Sequence, residues 1–271
     1  MAYVVKSADS DAGGLFIAAV DSVCTSGDAD PGRVAFDCEG VALSRLGTLE
    51  LISVCFSSME VFLVDVGGEP DPDILKAVKE LFEDAKVTKI IHDCRMDSDA
   101  LFHLHDIKLN NVHDTSCFHA EITGREHENL NNVLMHNGVE QNHTRDTNIY
   151  KVNPAFWASR PLTQKMIDWA SSDVDHLFEL ATKQLDSSEV TQVRAARKSN
   201  EFIKLARDME VESGLKVNNP GMFIGRRGAN LRSLQKRTGT VVRQESTSKN
   251  WVVYYRNSDD LDTVKRSMWD R

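Results

Sequence analysis

Apolar residues recur along this chain with two periods. Between 33 and 66 they come in short runs rich in strand formers, broken by Gly47 and by Ser57-Ser58, which predicts three successive strands at 33–40, 47–57 and 60–66. The alternating sets Leu49, Leu51, Ser53 and Glu50, Ile52, Val54 include apolar residues on both faces, as in a sheet covered on two sides. The period then lengthens. Asp71-Pro72-Asp73 supplies a cap and first turn, and Leu75, Val78, Leu81 and Phe82 form a helical stripe. Val87 to His92 reads as a further strand, 95–105 as a helix and 111–115 as a short last strand; helix dominates from there to about 209. The order predicts an α/β fold, a mixed sheet with helices on its faces.

Residues 187–210 are polar and helix-prone and read as a helical linker between a first domain, 1–186, and a second, 211–271. Charge sharpens that division. Residues 211–271 hold 12 Lys+Arg against 6 Asp+Glu, a net of +6, whereas 1–210 hold 20 against 35, a net of −15. A basic segment on an acidic body suits phosphate chains on one part and metal ions on the other. Five scattered cysteines without a Cys-x-x-Cys pair predict reduced, buried thiols rather than disulfides or structural zinc. No apolar run is long enough for a membrane helix and no secretory leader is read, so an intracellular protein, cytoplasmic or nuclear, is expected.

The chemistry-bearing residues are acidic. Asp37 and Glu39 lie two apart inside an apolar strand, so both point to one face, while Phe36 and Cys38 point to the other. Carboxylates there are costly without a compensating partner, and hard oxygen donors suit Mg²⁺ or Mn²⁺. The competing reading is an edge strand with two solvated acids. A second cluster offers Asp93, Asp97 and Asp99. Helical spacing sets Asp97 in line with Leu101 and Leu104, towards the sheet; Asp99 falls with His103 and Asp106 on a wetter side, and Asp93, at the strand end, is held as a reserve ligand or helix cap. A third cluster offers Asp173, which borders a stripe of Ile167, Ala170, Val174, Leu177 and Phe178. The nine histidines show no metal spacing.

Phe-Asp-Cys-Glu-Gly, Ile-Ile-His-Asp-Cys-Arg-Met-Asp-Ser-Asp-Ala-Leu-Phe, His-Asp-Thr at 113–115, Arg-Pro-Leu-Thr and Trp-Ala-Ser-Ser-Asp-Val occur in that order. Over residues 15–185 this combination resembles the ribonuclease D-like 3′–5′ exonucleases of the DEDD superfamily. The resemblance implies a ribonuclease H-like fold and hydrolysis from a 3′ end with two divalent ions, Mg²⁺ or Mn²⁺, releasing nucleoside 5′-monophosphates. It also implies that Asp37 bridges the ions, that Glu39 and Asp173 hold the one serving the attacking water, and that Asp97 supports the other. Where such enzymes carry a tyrosine four before the last aspartate, or a histidine five before it, this chain has Trp169 and Asp168. An indole N–H donates only, so Trp169 can orient the water but not take its proton.

In 211–271, Pro220-Gly-Met-Phe-Ile-Gly-Arg-Arg-Gly precedes a predicted helix at 229–237, two strands near 240–244 and 251–256, and a helix near 259–268. That order resembles a small α+β type I KH domain. Gly225 and Gly228 would admit a nucleic-acid backbone; Ile224, Arg226 and Arg227 complete the loop. The combined expectation is a metal-dependent 3′–5′ exonuclease on single-stranded RNA, with DNA as the other polymer. A slow or inactive nuclease-fold scaffold that binds RNA is the rival, favoured by Trp169.

Overall fold

The computed structural model describes residues 2–25, 32–245 and 248–269, and its chain divides into two compact units, Met1–Ile203 and Lys204–Arg271. The first unit begins with β1 (Ala2–Val5), α1 (Asp11–Cys24), β2 (Arg33–Glu39), β3 (Leu51–Phe56) and β4 (Val61–Asp65). It continues with α2 (Pro72–Glu83), β5 (Thr88–Ile91), α3 (Arg95–His105), β6 (Val112–Asp114), α4 (Thr115–Thr123) and α5 (Leu130–His136). Four helices end it: α6 (Ile149–Val152), α7 (Gln164–Asp175), α8 (Leu177–Leu185) and α9 (Glu189–Phe202).

The six strands form one mixed sheet in the order β1-β4-β3-β2-β5-β6. β3 runs antiparallel to both of its neighbours, and the other pairings are parallel. Alternation along β2 feeds two cores. Val34, Phe36 and Cys38 join Phe16 of α1, Phe82 of α2 and Leu101 of α3 on one face, where Phe36 and Phe82 meet at 4.5 Å between ring centroids. Ala35 lies with Leu51, Leu63 and Ile90 on the other, against Met166, Trp169 and Val174 of α7 and Leu180 of α8. The sheet is thus sandwiched between helical layers, as its apolar strands require. No helix among the described residues is long and apolar enough to cross a membrane.

Two sequence expectations are corrected, and two elements are added to them. β1 and α1 had no place in them; β1 adds parallel to β4 at the sheet edge, and α1 covers that end of the core through Phe16 and Val20. The segment read as a linker contains α9, whose Ala195 and Ser199 are fully buried; Ser199 Oγ accepts from Asp114 N, and Ser98 Oγ donates to Ile203 O. The compact first unit therefore extends to Ile203. Asp99 is fully buried rather than wet, because Arg45 reaches it from the loop after β2, with its backbone N–H at 2.7 Å and Nε at 2.8 Å.

The second unit contains β7 (Glu210–Leu215), α10 (Pro220–Ile224), α11 (Ala229–Thr238), β8 (Val241–Gln244), β9 (Trp251–Tyr255) and α12 (Ser258–Trp269). Its antiparallel sheet has the order β7-β9-β8, and Phe223, Leu234, Trp251, Val253, Leu261 and Val264 form a separate core.

Candidate functional site

β2 pairs with β5 only from Arg33 to Ala35, so its last four residues project beyond that neighbour at the carboxyl ends of the parallel strands. Ligand sites of open α/β sheets favour such a crevice. Asp37 and Glu39 leave β2 on the α7 side, and Asp173 reaches them from α7. The carboxylates of these three residues each offer an oxygen within 4.8 Å of the other two. Asp97, in the first turn of α3, approaches the same stretch from the side: its Oδ1 accepts the N–H of Cys38 at 3.1 Å, a donor that β5 no longer pairs. Asp97 stands close enough to Asp37 for their charges to oppose each other.

Asp173 is held hard. Its Oδ2 accepts the indole N–H of Trp169 at 2.8 Å and its Oδ1 the amide of Asn142 at 2.9 Å. Trp169 lies one helical turn earlier, fully buried among Tyr150, Phe156 and Trp157. Its one polar hydrogen is therefore committed to Asp173. Asn142, which sequence patterning missed, also donates to the Trp169 carbonyl and is itself fixed by backbone bonds with Asn131. Arg145, missed as well, sets Nη1 3.6 Å from Asp173 Oδ1. Both sit in an aperiodic loop where spacing carries no signal. Asp168 is exposed and bonds Gln164, away from the cluster. Asp93, the reserve ligand, pairs with Arg95 at 2.6 and 2.7 Å; the cap-like bonds to the backbone of Asp93 and Cys94 come from Asp114 instead.

Four acids in one crevice repel. Burial, then the charges of Asp97 and Asp173, push the Asp37 carboxyl well above its ordinary range, against the pull of Arg145. Burial and Asp37 do the same to Glu39. Burial lifts Asp97 to about 7, and Asp173 is raised too, less so for the bonds from Asn142 and Trp169. Protons or cations must accumulate here. An all-oxygen donor set of clustered carboxylates matches the needs of Mg²⁺ or Mn²⁺ and offers nothing for a thiolate- or imidazole-seeking metal.

In the second unit, Asn219 caps α10, accepting the N–H of Met222 at 3.2 Å. The chain then turns through Gly225 (φ 74°, ψ 173°) and Gly228 (φ 79°). A Cβ on Gly225 would lie 2.6 Å from Asn230 Cγ, whose side-chain amide donates to Met222 O at 2.7 Å. Both positive-φ positions favour glycine for conformation, and Gly225 also for room beside Asn230. Arg226 and Arg227 stand exposed between them, immediately before α11, while Ile224 packs towards the core.

The sequence profile of the 3′–5′ exonuclease family matches residues 18–187, which span both β2 and α7. The chain belongs to this 3′–5′ exonuclease family. The mouse protein named piRNA biogenesis protein EXD1 is 28% identical to it over a 162-residue alignment covering 55% of this chain. That alignment spans only 28% of the mouse protein. The exonuclease unit also has solved structural neighbours. Trypanosoma brucei RNase D in complex with RNA U12 superposes with a TM-score of 0.57 at 21% identity, covering 76% of this chain and 71% of that one. Brucella melitensis NrnC with bound Mg²⁺ gives 0.54 at 17% identity over 75% and 88%. These likenesses establish a mixed-sheet, RNase D-like exonuclease fold for the first unit.

Proposed function

We propose that this exonuclease is a divalent-metal-dependent 3′–5′ exoribonuclease acting on single-stranded RNA, assisted by a KH-like binding module. The observation that carries the reading is the convergence of Asp37, Glu39 and Asp173 from a strand and a helix far apart in sequence. Asp37, Glu39 and Asp173 would hold one ion, and Asp97 with Asp37 the second. Bound there, the pair would supply the Lewis acidity that activates water and neutralises charge on the transferred phosphoryl group and the departing 3′-oxygen.

The chain's own residues prepare that chemistry. β2 directs two carboxylate side chains to one face, and Trp169 and Asn142 hold the third. Site geometry is thereby set before substrate arrives, which is where catalytic gain is concentrated. The RNA-bound and Mg²⁺-bound neighbours named above favour RNA and Mg²⁺ for this chain also.

The second unit reads as a type I KH module. Strand, two helices joined by Gly-Arg-Arg-Gly, two strands and a helix follow in the expected order. Its two loop arginines can neutralise backbone phosphates close to glycines that let the strand approach. Such a tether raises the local concentration of 3′ ends.

One observation favours a second reading, an RNA-binding scaffold without turnover. Trp169, at the place of the usual water-handling tyrosine, has its only polar group bonded to Asp173. A labelled-RNA assay decides between them. Wild type with Mn²⁺ is expected to shorten 5′-labelled single-stranded RNA stepwise, and Asp37→Ala to abolish the ladder. Retained RNA binding with no shortening in Mg²⁺ or Mn²⁺ selects the scaffold.

A further inference from the structure

Arg145 is the feature of the acidic crevice that the proposed reaction leaves unused. It lies in the loop between α5 and α6, aimed inwards by a tight turn. Asn142 Oδ1 accepts both the backbone N–H (2.8 Å) and the hydroxyl (2.6 Å) of Thr144, while Asn142 itself is anchored on Asn131 and α7. The guanidinium carbon stands 5.9 Å from the centre of the Trp169 ring, and Nη1 is 3.6 Å from Asp173 Oδ1. That separation is too long for a hydrogen bond. Nε is buried and has no hydrogen-bond partner among the described residues. The charge acts on Asp37 and Glu39 as well as on Asp173, favouring the ionised form of each.

These facts describe a loose ion pair. A structural arginine commonly grips a carboxylate through a bidentate fork of two N–H···O bonds. This one spreads a single charge over three carboxylates at a distance and leaves a buried donor unmet, so it loses little when drawn off. It is also in conflict with any cation that needs the same oxygens, because a guanidinium stays charged at every relevant pH. An incoming RNA phosphate offers Nε and the Nη groups what Asp173 does not.

We propose that Arg145 is a displaceable counter-ion: it offsets the acid cluster when no divalent ion is bound, competes with such ions for Asp173 and Glu39, and moves to a phosphate oxygen when RNA enters. Metal and RNA then reinforce each other's binding, since each removes an obstacle to the other. The inference rests on the metal-centre reading above and specifies how that centre is filled.

Calorimetric titration of Mn²⁺ into the full-length protein tests it, with and without a short phosphorothioate RNA that resists hydrolysis. Arg145→Gln is expected to bind Mn²⁺ about tenfold more tightly than wild type without RNA, the effect of one well-placed charge. RNA should tighten Mn²⁺ binding to wild type and leave Arg145→Gln nearly unchanged. Arg145→Lys, which keeps the charge on a shorter reach, should fall between the two; it serves also if the glutamine variant does not fold. Asp173→Asn provides the reference for loss of the centre. Equal or weaker Mn²⁺ binding by both Arg145 variants, with binding lost in Asp173→Asn, overturns the counter-ion role and leaves the metal centre standing. Absence of Mn²⁺ binding by wild type and both Arg145 variants overturns the metal centre itself, and this inference with it.

Discussion

Asp173 shows how much a single carboxylate depends on neighbours that sequence periodicity cannot supply. Its position on the edge of an apolar stripe was legible, as was the same-face geometry of Asp37 and Glu39, since both follow from the repeat of one element. Asn142 was not, because its partners Trp169 and Asp173 lie 27 and 31 residues away and its own loop has no period. Asp99 was misread for the same reason: its partner Arg45 is 54 residues earlier. The indole bond makes Trp169 a positioning residue first. Trp169→Phe keeps most of the ring but leaves Asp173 short of one charge-assisted donor. We expect it to destabilise the first unit by about 1.5–3 kcal/mol in urea unfolding and to weaken Mn²⁺ binding. Loss of turnover with stability and Mn²⁺ affinity intact would instead mean that the indole acts on the water.

At the scale of elements, the strands around the site were readable because each is an apolar run bounded by turn residues. β1 was too short to stand out, and α1 was masked by Gly13-Gly14 near its start, a pair that argues against helix on propensity alone. The structure gives these two glycines opposite consequences. A Cβ on Gly13 would fall 2.0 Å from the Ser7 carbonyl oxygen, where the chain from β1 folds back against the helix; on Gly14 it would meet nothing within 4 Å. Gly13→Ala should therefore destabilise the first unit by roughly 1–3 kcal/mol through overpacking. Gly14→Ala should stabilise it by about 0.5–1 kcal/mol, through reduced freedom of the unfolded chain. Chemical denaturation of the two variants side by side checks both signs, and a destabilised Gly14→Ala would mean that α1 does not pack as described.

For the whole molecule, burial and charge set the solution behaviour. Cys38, Cys55, Cys94 and Cys117 are buried, and burial pushes all four thiols up, Cys55 to about 12. An unfolded thiol ionises near ~8.5, so their contribution is whole below that pH and is lost as pH climbs towards the folded values. Lys89 opposes them: burial lowers it to about 8, and its share of stability grows between there and an unfolded value of ~10.4. Four groups outweigh one, so urea midpoints should fall from pH 8.5 to 10; a rising midpoint would contradict the buried thiols. Charge divides between the units as composition indicated. Met1–Ile203 holds 18 Lys+Arg and 33 Asp+Glu, a net of −15; Lys204–Arg271 holds 14 and 8, a net of +6. Outside the carboxylate crevice an acidic unit repels RNA, so under the proposed function sequence-independent affinity comes mainly from the second unit. That affinity is counter-ion release, and for single strands log K falls with log salt by roughly 0.7 for each phosphate neutralised. If Arg226 and Arg227 each neutralise one phosphate, replacing both by Ala should make the salt slope of RNA binding shallower by about 1.4. The same variant should leave cleavage of a dinucleotide unchanged, because a substrate that short needs no tether. Fluorescence anisotropy with a labelled single-stranded RNA over a salt series gives the slope directly. An unchanged slope would place the phosphate contacts elsewhere on the basic unit and remove the loop from the binding surface.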